Sequence, residues 1–227
     1  MYLTRFRINT GRVGARKLLA SPQAMHAAVM MSFAETLTPT DGPRVLWRLD
    51  RNGNAATHLC IVSPYRPDLT HLVEQAGWPT TARWETYDYT PFLKRLNAGD
   101  TWAFRLTANP VHHIRRNDTE PTKRTAHLTP IHQLRWLLDR QEASGFKITE
   151  KAQDKQLAQG LDTHDVLVHG RRQLRFSKGG KGHVTLVAVT FDGHLQITNA
   201  DAFRAALTHG LGRGKAYGCG LMTLAPA

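Results

Sequence analysis

The chain has 227 residues, of which 41% are hydrophobic and 21% charged, a balance that excludes a disordered chain, a collagen or a repeat array and fits one large or two small globular domains. Lys and Arg number 30 against 18 Asp and Glu, a net charge of +12, and residues 91–227 hold twenty of the basic residues against eleven acidic ones. A lopsided basic excess points to a polyanionic partner, nucleic acid foremost.

No apolar run approaches a membrane span and no apolar signal core follows the basic N-terminus, so a soluble, cytoplasmic protein is expected. The two cysteines, Cys60 and Cys219, belong to no CxxC or Cys/His cluster, so neither a zinc site nor a disulfide scaffold is expected, and no cofactor is implied. Residues 2–9 alternate apolar and polar side chains as a strand does. A helix is predicted from Pro22 to about Phe33, with Ser21 as N-cap and Pro22 in the first turn. Residues 44–50 and 57–63 read as strands around an Asn-Gly-Asn turn, 68–77 as a short helix closed by Gly77, and 82–89 as a strand. The order strand, helix, strand, strand, helix, strand is the ferredoxin-like pattern.

A second round follows. Residues 101–110 read as a strand, 111–125 as a basic mobile loop, and the stretch from Pro130 as a helix with Leu134, Leu137 and Leu138 on its apolar side. Residues 166–198 read as two long strands around a Gly-Gly-Lys-Gly turn, followed by another hairpin at Asp192-Gly193. Residues 199–210 form a helix capped by Asn199 or Asp201 and ended by Gly210, and a final strand follows. The expected class is α+β, with tandem ferredoxin-like domains over 1–92 and 93–227.

Three stretches carry chemistry. The segment from His209 to Leu224 holds Gly210, Gly212, Gly214, Gly218 and Gly220 with Arg213 and Lys215 between them. It is not a P-loop, because Ala216 stands where Ser or Thr belongs, and it lacks dinucleotide spacing. It suits a loop against a phosphate backbone or against the strands that seat it. The hairpin 169–183 carries Arg171, Arg172, Arg175, Lys178 and Lys181 without an acid; alternation puts Arg171 and Arg175 on one face and Arg172 on the other. Arg115 and Arg116 add to the basic surface. His26, inside the first long helix, reads from position alone as a surface or packed histidine, although a histidine of near-neutral pKa is able to act as general acid or base in RNA cleavage by a ribose 2′-OH. His127-Leu-Thr129 and His183-Val-Thr185 open a rival reading, a two-histidine RNA phosphoesterase.

Four stretches together are similar to one family: the opening MYLTRFRIN; SPQAMHAAV; LTANPVHHIRR with KRTAHLTP and QLRWLLDR; and HGLGRGKAYGCGLMTL. The chain resembles the CRISPR-associated repeat endoribonucleases of type I-E systems, the CasE family of the RAMP superfamily. The resemblance implies tandem ferredoxin-like domains and metal-independent cutting of precursor CRISPR RNA at the base of a repeat hairpin. The products would be a 2′,3′-cyclic phosphate and a 5′-hydroxyl. It further implies that the guide RNA stays bound and that other subunits of a surveillance complex are partners. His26 matches the family's helix histidine. The family tyrosine three residues before it is Gln23 here, which can hydrogen-bond but not exchange a proton near neutrality; Lys151 and Lys155 are candidates to assist. A non-catalytic RNA-binding subunit and a duplex-DNA-binding factor are the non-enzymatic alternatives.

Overall fold

The computed structural model describes residues 1–34, 42–51, 56–80, 84–114, 122–156, 162–177 and 183–227. It forms two ferredoxin-like units in tandem. The first sheet has the order β2-β3-β1-β4, built from β1 (Tyr2–Ile8), β2 (Leu46–Arg51), β3 (Thr57–Ser63) and β4 (Trp84–Asp88), all antiparallel. Alternation along β1 turns Thr4, Phe6 and Ile8 inward and Arg5 and Arg7 to solvent. Phe6 and Ile8 pack with Leu59, Ile61 and Trp47 beneath three helices: α1 (Val13–Ala20), α2 (Pro22–Met30) and α3 (Thr70–Ala76). Helix α1 is not expected from sequence. It is eight residues long and contains Gly14, which lies where a Cβ would meet the Gln75 carbonyl oxygen at 2.3 Å, so close approach to α3 sets its composition.

The second sheet has the order β11-β5-β10-β8, with β9 also on β10; its strands are β5 (Thr101–Ala108), β8 (Phe146–Ile148), β9 (Val166–Ser177), β10 (His183–Ile197) and β11 (Met222–Pro226). Helices α5 (Pro130–Gln141) and α6 (Ala200–His209) cover it, and α4 (Thr90–Arg95) leads in from the first sheet. Leu137, Phe146, Phe191, Phe203 and Leu207 form its core, which also receives Leu46 and Val62 from the first sheet.

Two expectations are corrected. Residues 111–114 and 123–126 are not loop but a two-stranded ladder, β6 (Val111–Ile114) and β7 (Lys123–Ala126). Asp192-Gly193 makes no hairpin. Both lie inside the continuous β10, where Asp192 pairs with Arg105 on β5 and Leu167 on β9, and a Cβ on Gly193 would run into the backbone of Asp165 and Val166. Two neighbouring strands outweigh a dipeptide turn signal. Residues 90–95, for which the sequence gives no element, form helix α4. The Asn-Gly-Asn and Gly-Gly-Lys-Gly turns lie outside the described residues. Among the described residues no helix is long and apolar enough to cross a membrane.

One side chain binds the halves. Arg48 on β2 is 2% exposed and donates to the carbonyls of Arg105 at 2.7 Å and Leu221 at 3.0 Å, and to Thr223 Oγ1 at 2.7 Å. Its Nε and Nη2 also bind the two Asp50 oxygens at 2.7 and 2.9 Å.

Candidate functional site

Helix α2 begins as its sequence requires. Ser21 Oγ accepts from the Ala24 amide at 3.2 Å and Pro22 occupies the first turn. Met25, Ala28 and Val29 are buried, which leaves Gln23 and His26 on the half-buried flank. A second histidine steadies the helix from outside: His71 Nε2 on α3 binds the Ala28 carbonyl at 2.9 Å. Among the described residues, His26 Nδ1 and Gln23 Oε1 are both buried without a hydrogen-bond partner. Burial lowers the His26 pKa, so the neutral imidazole predominates at neutral pH. The neutral ring is the form that accepts a proton.

The glycine-rich loop is what α2 packs against. Lys215–Tyr217 make a short 3-10 turn that touches α2 and β2. All five glycines of the loop adopt positive φ, from 72° at Gly212 to 91° at Gly220. A Cβ on Gly218 would meet Trp47 Cζ3 at 2.7 Å, and one on Gly212 would meet Trp136 Cζ2 at 2.7 Å. These glycines therefore let a tightly turned backbone lie flat on tryptophans of both halves. Lys215 is half-buried, and burial together with Arg44 lowers its pKa; Arg213 is exposed and bridges to Asn109.

The basic hairpin covers the loop's other side. Arg171, Gln173 and Arg175 are exposed, while Arg172, Leu174 and Phe176 turn inward, as strand alternation predicts. Phe176 meets the Tyr217 ring edge-on with centroids 4.6 Å apart. Leu174 and Phe176 pack with Leu186, Ala188, Cys219 and Tyr217. A bulge opposite Val189, where the register shifts between Ala188 and Thr190, places Gly170 at φ +62° and separates the alternating stretch from the base of β9. Helix α2, the glycine-rich loop and the hairpin thus form one continuous assembly.

The remaining residues scatter. Lys151 is engaged by Asp162 at 2.5 Å and lines a cleft between the sheets with Arg48, Arg105 and Asp192; Lys155 is exposed at the end of a separate 3-10 turn. Arg115, Arg116, Lys178 and Lys181 lie outside the described residues. His127 sits between β7 and α5 rather than on a strand, its ring stacked on His112 at 4.3 Å and near His132 at 5.9 Å. His183 begins β10 opposite Ser177. The facing strands that a two-histidine phosphoesterase needs are not formed by these two histidines. Arg48 and Arg51 belong to no motif and escape a reading from sequence, although a cation inside the apolar run Val45 to Leu49 is a signal for burial.

This architecture has known counterparts. The chain is 30% identical over 229 residues to the CRISPR-associated endoribonuclease Cse3 of Thermus thermophilus, covering 100% of both chains. It is 28% identical over 163 residues to the Cascade subunit CasE of Escherichia coli, covering 68% of this chain and 73% of that one. The solved structure of a CRISPR endoribonuclease Cse3 bound to 19 nt RNA superposes with a TM-score of 0.80 at 28% identity, with 100% of each chain covered. The family described as CRISPR associated protein matches residues 1–226, and the chain belongs to that family.

Proposed function

We propose that the chain is a metal-independent endoribonuclease that binds CRISPR repeat hairpins in precursor RNA and cleaves at the base of the stem. The observation that carries this reading is the full-length similarity to Cse3, a named endoribonuclease whose RNA-bound structure matches both units. His26 takes the proton from a ribose 2′-OH, which attacks the adjacent phosphorus. The 5′-oxygen leaves as a hydroxyl, taking its proton from water, and a 2′,3′-cyclic phosphate remains. The half-buried, neutral imidazole supports the base role. Proton transfer and cationic stabilisation of the phosphorane are sufficient for this step.

Arg171 and Arg175 grip the stem from the exposed face of the hairpin, helped by Lys178 and Lys181. Arg115, Arg116, Lys155 and Arg213 extend the basic surface; Lys151 is a weaker contributor because Asp162 engages it. The glycine-rich loop seats α2 and holds His26 against the RNA backbone. The chain divides functionally at 92/93, works in the cytoplasm, keeps its product, and joins a surveillance complex, as the name of the E. coli relative suggests.

The test is a labelled repeat hairpin incubated in EDTA with wild type and with His26→Ala. Cleavage that survives EDTA and disappears in the variant, with hairpin affinity retained, supports the reading. Equal cleavage by both proteins removes His26 from the mechanism.

A further inference from the structure

Two guanidinium groups from different halves line the same cavities, with no acid paired to either among the described residues. Arg51 ends β2 of the first sheet and is exposed; Arg172 lies on the inner face of β9 and is half-buried. Both line a small cavity beside Pro22 and Met25 of α2 and Gly218 of the glycine-rich loop. Both also line a second cavity with His169, Gly170 and Arg171. Leu49, Arg51 and Arg172 are common to the two, so the pair stands where they adjoin, on the seam between the halves.

Among the described residues neither guanidinium has a hydrogen-bond or ion-pair partner. The nearby carboxylates are taken. Asp50 lines the second cavity, but Arg48 holds both its oxygens. Asp192 is held by Arg105 at 2.7 and 2.6 Å and by His169 at 3.0 Å. Burial first, and the charge of Arg51 second, lower the Arg172 pKa. Burial and the like charge of Arg51 thus both disfavour the Arg172 cation. A desolvated cation beside a second cation is relieved by an anion, and two planar forks suit a tetrahedral oxyanion that accepts two bonds from each.

We propose that Arg51 and Arg172 form a phosphate clamp across the seam, one arm from each half, that receives a backbone phosphate of bound RNA. The site itself rests on the cavities and the unpaired cations; the choice of RNA as the source rests on the nuclease reading above. The chemically equivalent source is free inorganic phosphate.

Two arms separate these. In the first, thermal unfolding of the RNA-free protein is followed as inorganic phosphate replaces chloride at constant ionic strength, for wild type, Arg51→Gln and Arg172→Gln. Wild type gains stability with phosphate concentration and each variant loses that gain. Without phosphate, Arg51→Gln melts no lower than wild type, because it removes a repulsion, and this control shows that it folds. No phosphate-dependent rise in wild type, or the same rise in both variants, overturns the site. In the second arm, hairpin RNA binding is measured in a His26→Ala background that prevents cleavage. Adding Arg51→Gln weakens affinity about tenfold and reduces the slope of log K against log salt by about one. A phosphate response with an unchanged RNA slope overturns the RNA assignment and leaves a free-anion site. Absence of any hairpin binding by His26→Ala protein refutes the nuclease reading, while the first arm still decides the clamp.

Discussion

Arg48→Met tests the link between the two sheets most directly. Methionine keeps the apolar stem and removes every donor of a side chain that is 2% exposed. It strands the Asp50 carboxylate, itself 15% exposed, and takes a donor from the carbonyls of Arg105 and Leu221 and from Thr223 Oγ1. Removing one partner of a buried ion pair costs about 3–5 kcal/mol, out of a total of about 5–15 kcal/mol for a typical folded protein. Urea unfolding followed by far-UV dichroism and by tryptophan fluorescence reads the loss as a lower midpoint at unchanged slope. The effect depends on pH in a defined direction. Burial alone would raise the Asp50 pKa, but the hydrogen bonds and charge of Arg48, with Arg105 and Cys60 in support, more than offset it and lower the value. In wild type the pair's contribution is therefore complete above the ordinary carboxylate pKa of about 4 and fades as pH falls through the lowered folded value. In the variant the Arg48 contribution is gone and only the weaker support of Arg105 and Cys60 opposes burial, so the stability gained on raising the pH through the carboxylate range is reduced. The difference between the proteins is widest at neutral pH and shrinks in acid. A loss below about 1 kcal/mol at pH 7, the size of an exposed pair, would show that Arg48 does not join the sheets.

Gly218→Ala combines a left-handed backbone, about 1–2 kcal/mol, with overpacking against Trp47, about 1–3 kcal/mol. A drop of about 2–5 kcal/mol in thermal or urea unfolding is expected, and a near-neutral result would mean that the loop does not lie tightly on Trp47. Because burial lowers the His26 pKa, single-turnover cleavage has an acid limb centred below 6.5 and a plateau through neutrality; a limb centred above 7 would contradict the base role. Arg171→Glu with Arg175→Glu weakens hairpin binding and flattens its salt dependence without lowering stability, since both side chains are exposed. Unchanged affinity in a binding titration would mark that face as merely solvated.

Much of this was legible in the residues. Ser21 and Pro22 announce α2, and the alternation from Tyr2 to Ile8 announces β1, because caps and period are local signals. The face assignment of Arg171, Arg172 and Arg175 follows from alternation alone. What escaped is set by neighbours distant in sequence. Asp192-Gly193 carries a turn signature, yet strands on both sides hold it extended. The β6–β7 ladder pairs short polar segments whose composition resembles loop. The glycines of the loop suit a phosphate backbone or the strands that seat it, and which tryptophans Gly212 and Gly218 make room for, Trp136 and Trp47, is set by residues far away in the sequence. Arg51 gains meaning only when the second half brings Arg172 to it.

The helix that bears His26 comes from the first thirty residues, and the turn on which it rests from the last fifteen. Met25, Ala28 and Val29 already anchor α2 in the core of the first unit, and the distant turn adds a second support from the other. The pose of α2 is thus set jointly by both units, and a change in the glycine-rich loop is felt at the helix that carries His26.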